Sequence, residues 1–131
     1  MEFLRSRGNR DLNLPFSDAV RVGGMLVLSG QIGNLPGRFE LAPDGIEAET
    51  RQMMDNIAHV LNAAGRSFDD VFKCQVMLAD MDDWHAFNRV YVDYFRPGRL
   101  PARSAFAAKA LALGARVEME CWAWDRNITG T

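Results

Sequence analysis

At 131 residues the chain has room for one domain and none for a separate cofactor-binding module. Its 15 basic and 17 acidic residues nearly balance, which excludes a broad electrostatic footprint for nucleic acid. No stretch approaches the roughly 18 consecutive apolar residues of a membrane-spanning helix, while eight Phe and three Trp are ample for one core and an oligomer interface.

Residues 1–19 read as irregular and polar, 1–12 as a flexible segment, with Pro15 and Phe16 as the first anchor. No apolar signal-peptide region precedes them, so a soluble cytoplasmic protein is expected. Val20–Val22, the turn Gly23-Gly24 and the run Met25–Gly30 predict a tight hairpin. Gln31–Asp44, with its glycines and two prolines, predicts a long surface loop. Thr50, Met53, Ile57, Val60 or Leu61, and Ala64 recur at helical steps, which predicts a helix over 46–64 stopped by Gly65. A strand over 68–79 follows, with Phe72, Cys74, Val76 and Leu78 towards the core and Lys73 and Gln75 opposed. Asp80-Met81-Asp82-Asp83 then caps a second helix, from Trp84 to about Phe95, with the stripe Trp84, Phe87, Tyr91 and Tyr94 or Phe95. Arg103–Ala108 is another strand, Gly114 marks a turn, and 125–131 is a tail. The order β-β-α-β-α-β-β gives an α+β domain with a mixed sheet and two helices on one face.

The last strand carries the strongest hint of chemistry. Residues 115–124 alternate strictly, with Val117, Met119, Cys121 and Ala123 on one face and Glu118, Glu120, Trp122 and Trp124 on the other. Two carboxylates beside two tryptophans need a cation or hydrogen-bond donors, so this face suits a wet pocket or a subunit interface shared with an arginine such as Arg103. A half-apolar second sheet face is most easily stabilised by copies of itself, which predicts a closed oligomer with the site between subunits.

Several chemistries lack their residues. No nucleotide-binding glycine motif and no G-x-S-x-G elbow occurs. His59 and His85 fall on different helices. Cys74 and Cys121, without paired spacing, read as buried small hydrophobes rather than as a disulfide framework or zinc site. Without a metal, a cofactor or a histidine base, an enzyme of this kind works by positioning and charge on an already reactive bond.

Four segments together resemble the reactive intermediate deaminase (Rid) family, formerly YjgF or L-PSP. They are V-R-V-G-G-M-L-V-L-S-G-Q-I-G from Val20, N-x-x-x-V-L-x-A-A-G from Asn56, L-P-A-R-S from Leu100 and V-E-M-E from Val117. The resemblance covers residues 13–124. It implies a homotrimer of chorismate-mutase-like subunits with three clefts between them. It also implies hydrolysis of 2-imino acids and their enamines, 2-iminobutanoate and 2-iminopropanoate among them, to 2-keto acids and ammonia, with no metal or organic cofactor and no nucleic-acid or membrane partner.

Carried over residue by residue, Arg103 would clamp the substrate carboxylate and Glu118 would position and deprotonate the attacking water. Asn88, Ser29, Gly30, Phe16 and Ala105 would contribute to binding. Two positions depart from the family pattern: Phe16 stands where an aromatic hydroxyl is usual, and Ala105 replaces a common cysteine. Phe16 and the glycine-rich loop imply a different pocket shape. Glu120 and Trp84 read as structural, the first in an ion pair and the second as core. Other functional classes remain open: a non-catalytic carboxylate-binding or protein-interaction trimer, a ribonuclease, or a deaminase for a longer aminomuconate-like diacid. The last would need a second anchor such as Arg21 or Arg96.

Overall fold

The computed structural model describes residues 1–6 and 12–126. Among them are seven strands in one mixed sheet: β1 (Glu2–Leu4), β2 (Ala19–Val22), β3 (Met25–Leu28), β4 (Gln31–Ile32), β5 (Val71–Leu78), β6 (Ala102–Ala107) and β7 (Val117–Trp124). Two α-helices, α1 (Ile46–Ala63) and α2 (Trp84–Tyr91), lie on one face. The spatial order is β1-β2-β3-β7-β5-β6, with β4 also on β7; only β5 and β6 run parallel. No helix among the described residues is long and apolar enough to cross a membrane.

The predicted hairpin turns at Gly23 and Gly24, whose φ angles of 55° and 78° are the left-handed values that a two-residue turn requires. Helix α1 buries Thr50, Met53, Met54, Ile57, Val60 and Leu61. These pack on the alternating buried residues of β7 (Val117, Met119, Cys121, Ala123) and of β5 (Cys74, Val76, Leu78) to form one core. The strict alternation of the last strand is thus realised, and the opposite face carries Glu118, Glu120 and Trp122.

Five expectations need correction. Residues 2–4 are a strand paired with β2, not part of an irregular segment, so the sheet begins almost at the first residue. The loop expected from Gln31 starts with β4, where Gln31 and Ile32 pair with Met119 and Glu118. Phe68 begins a single 3₁₀ turn capped by Ser67 rather than the strand. Phe72 does not face the core: the register slips between Val71 and Lys73, Val71 takes the buried slot, and Phe72 is pushed out into solvent. Asp80 caps a 3₁₀ turn at Met81–Asp83 that leads into α2, and the last turn of the expected helix, Val92–Tyr94, is also 3₁₀. The expected tail begins at the buried Asp125, and residues 127–131 lie outside the described residues.

Asp125 shows why the end of β7 is fixed. Its buried carboxylate accepts hydrogen bonds from Arg21 Nη1 at 2.8 and 2.9 Å and from Arg66 Nε at 2.6 Å, and Arg21 Nη2 also donates to the carbonyl of Ala64 at the end of α1. This cluster ties the hairpin, the first helix and the last strand together.

Candidate active site

Arg103 lies on β6 directly opposite Cys74 and therefore shares the helix-covered face. Its guanidinium sits among three rings of α2, 4.9 Å from the Trp84 ring, 5.5 Å from Phe87 and 4.7 Å from Tyr91. Such stacking favours arginine, whose planar, weakly hydrated cation suits an aromatic face. Its Nη1 donates to Asn88 Oδ1 at 2.7 Å. Trp84, Phe87, Asn88 and Tyr91 stand at steps of three and four residues, so one helix face holds the arginine. Ala105, two residues on, shares the face of Arg103 and packs against the core.

Glu118 lies on the other face. On β7 it opposes Ile32 of β4 and Met77 of β5, and two strand spacings, about 10 Å, separate its strand from that of Arg103. Neither Glu118 nor Glu120 makes a salt bridge within the described residues. Within one chain, therefore, Arg103 pairs with neither carboxylate. Burial, and then the like charge of Glu120, raise the pKa of Glu118 above the usual carboxylate value.

The approach to Glu118 is shaped by a slip in register. Val27 opposes Trp122 and Gln31 opposes Met119, four steps on one strand against three on the other. The extra residue falls at Ser29-Gly30, and such bulges often re-aim groups beside active sites. Ser29 is held by its own bonds: its N–H donates to the Asp18 carbonyl at 2.9 Å and its hydroxyl to the Ser17 carbonyl at 2.6 Å. Gly30 presses against Glu118 so closely that a Cβ there would overlap the carboxylate. Phe16, Gly30 and Glu118 line one cavity of about 340 Å³, together with Leu12, Leu14, Ile32, Arg38, Phe39 and Leu113.

The residues singled out in the sequence therefore form two half-sites. Arg103, Asn88 and Ala105 are on one face; Glu118, Gly30 and Phe16 are on the other, with Ser29 buttressing the bulge. Arg21 is engaged by Asp125 and Glu2, and Arg96 by Asp69 at 2.6 Å; neither reaches the cavity, whereas Arg38 does. The ring box around Arg103 was hidden in what reads as a core stripe, though the i, i+3, i+4, i+7 spacing of Trp84, Phe87, Asn88 and Tyr91 could have disclosed it. Cys74 and Cys121, read as unrelated, are cross-strand neighbours with sulfurs 3.6 Å apart and both thiols free. The hydrogen bond between them lowers the pKa of Cys74 and raises that of Cys121.

This architecture and these motifs coincide with a known family. The family described as Endoribonuclease L-PSP matches residues 10–124, and the chain belongs to it. A mouse (Mus musculus) relative named 2-iminobutanoate/2-iminopropanoate deaminase is 43% identical over 106 residues, covering 81% of this chain and 78% of the mouse protein. The crystal structure of RidA from an Antarctic Psychrobacter species superposes with a TM-score of 0.79 at 37% identity, covering 86% of this chain and 89% of that one. The YjgF gene product of E. coli superposes with a TM-score of 0.87 at 28% identity, covering 96% and 100%.

Proposed function

We propose that the protein hydrolyses 2-imino acids and their enamine tautomers to 2-keto acids and ammonia. It does so as a homotrimer whose sites join Arg103 of one copy to Glu118 of the partner subunit. The observation that carries this reading is the separation of the two groups onto opposite sheet faces. Each is prepared for a task that one chain does not complete.

The rings and Asn88 hold the guanidinium in place. With one Nη1 proton on Asn88, its remaining N–H groups are left to grip a substrate carboxylate in a bidentate fork. Across the cleft, a carboxylate of raised pKa is a stronger base than an ordinary glutamate. Water oxygen adds to the imine carbon, the C=N electrons move to nitrogen, and the water proton passes to Glu118. Glu118 then returns that proton to nitrogen. The proton of the remaining hydroxyl passes by way of the same carboxylate to that nitrogen, so that as O–H becomes C=O the C–N bond breaks and ammonia leaves. The sum is imino acid plus water giving keto acid plus ammonia.

The ribonuclease reading finds no support at this pocket. Glu118 and Glu120 repel phosphate, the chain's net charge is −2, and His59 and His85 are exposed on separate helices.

The test is a coupled assay on freshly generated imines, run beside light scattering. Hydrolysis above the uncatalysed rate is expected, with a particle close to three times the 14.7 kDa chain mass. Carboxylate binding without acceleration would leave a non-catalytic binding protein, and a fully active monomer would overturn the interfacial site. Gly30→Ala offers a local check. Only the end of a flexible side chain must move, so the thermal midpoint should change little. Turnover should fall at least about tenfold, because a displacement of about 1 Å in a catalytic group costs up to a hundredfold.

A further inference from the structure

The cavity at Glu118 is walled mainly by hydrocarbon: Leu12, Leu14, Phe16, Ile32, Phe39 and Leu113. Two of these residues are set in ways that folding alone does not reward. Phe39 is 62% exposed, yet its loop is firmly bonded. The N–H of Ala42 donates to the Gly33 carbonyl at 2.9 Å, that of Leu35 to Glu40 at 2.7 Å, and Asn34 Nδ2 to Arg38 at 3.0 Å. Asn56 Nδ2 of α1 fixes the base of the loop through the carbonyls of Ile32 and Asn34, at 3.0 and 2.9 Å. The ring is presented rather than left loose. Leu113 is 49% exposed and holds φ 59° and ψ 17°, a left-handed conformation that leucine rarely adopts. Strained residues of this kind gather at binding sites.

Within one chain, before a partner copy adds its own wall, the chamber is about 340 Å³, the volume of roughly ten water molecules. The methyl group of 2-iminopropanoate would leave most of that space wet. A side chain the size of leucine's or methionine's would displace the water and lie against Phe16, Phe39 and Leu113. Arg38, the one cation on the wall among the described residues, stands largely in solvent with Glu40 3.9 Å away, so a distal carboxylate meets a partly offset charge.

Resting on the deaminase reading above, we infer that this chamber selects 2-imino acids with bulky hydrocarbon or thioether side chains, of the size found in leucine and methionine, over two- to four-carbon imino acids and over diacids. Burying two or three further methylenes is worth about tenfold or more in kcat/KM.

The experiment uses the full chain, with imines generated in situ from leucine, methionine, alanine and glutamate by an L-amino-acid oxidase and their decay followed by semicarbazide trapping. The leucine- and methionine-derived imines should give kcat/KM at least about tenfold above the alanine-derived one. Phe39→Ala and Leu113→Gly should each lower that ratio severalfold. Glycine suits the backbone at 113, so the second variant stays informative if the first folds poorly. Equal or inverted preference with brisk turnover overturns this inference alone, as does a ratio unmoved by both variants. Preference for the glutamate-derived imine overturns it in favour of Arg38 as a reader of a distal carboxylate. Failure to hydrolyse any of the four overturns the deaminase reading itself.

Discussion

Arg103→Ala is expected to lower kcat/KM for every imine the protein hydrolyses by at least about tenfold to a hundredfold, with the oligomer still assembled. A charge-assisted contact is worth about 1.5–3 kcal/mol, and a substrate carboxylate left without its fork loses orientation as well as affinity. Among the described residues the arginine makes one side-chain hydrogen bond, to Asn88, and stacks on three rings. Two of those rings keep ring partners of their own, since Phe87 and Tyr91 lie 5.4 Å apart and Tyr91 lies 4.8 Å from Phe95. The fold should therefore survive, and circular dichroism and light scattering would check it. Arg103→Lys separates charge from geometry: an ammonium keeps the positive charge but has no fork, so it should recover only part of the loss. If Arg103→Ala stayed within twofold of the parent on several imines, the carboxylate would have to be held elsewhere, with Arg38 the first place to look.

Much of this site was written in the sequence, and what was not has identifiable physical causes. Alternation in 115–124 placed Glu118 and Glu120 on the face away from the core because the side-chain period of a strand is two, and nothing in β7 disturbs it. The same rule failed at Phe72, where a slip in register inserts one residue and Val71 takes the core position. A bulge depends on the partner strand, so one strand's pattern does not announce it. Register across strands is also what puts Cys74 beside Cys121 and Arg103 beside Cys74 rather than beside Glu118. Sequence joins Arg103 to Glu118 by chemistry, a carboxylate-bearing face that needs a cation, and leaves open how the strands arrange them. Strand order puts β5 between them, and the pleat turns them to opposite sides. The cavity wall was the least legible part. Leu12, the pair Arg38 and Phe39, and Leu113 come from three separate segments outside the long helices and strands, and only tertiary packing brings them together.

Glu118→Gln is the more demanding test, because it keeps the size of the side chain and an acceptor oxygen while removing the ability to take a proton. Turnover should fall by about 10²–10⁴-fold, the usual range for loss of a general base, while a product-like 2-keto acid still binds through Arg103. The fold should not suffer. Burial and Glu120 raise the folded-state pKa of Glu118, so the folded protein favours the protonated form. Its contribution to stability is full at low pH and is lost as pH rises through the raised pKa, so at neutral pH the ionised group is a burden that a neutral amide removes. The thermal midpoint of Glu118→Gln at pH 7 should equal or exceed that of the parent. The same shift governs the pH profile of the parent: kcat/KM should decline on the acid side through an apparent pKa above the ordinary glutamate value. Glu120→Gln removes the like charge and should move that limb to lower pH. An acid limb unmoved by Glu120→Gln, together with near-normal turnover in Glu118→Gln, would make Glu118 a wall of the pocket and leave Glu120, its neighbour on the same face of β7, as the group to examine for the base.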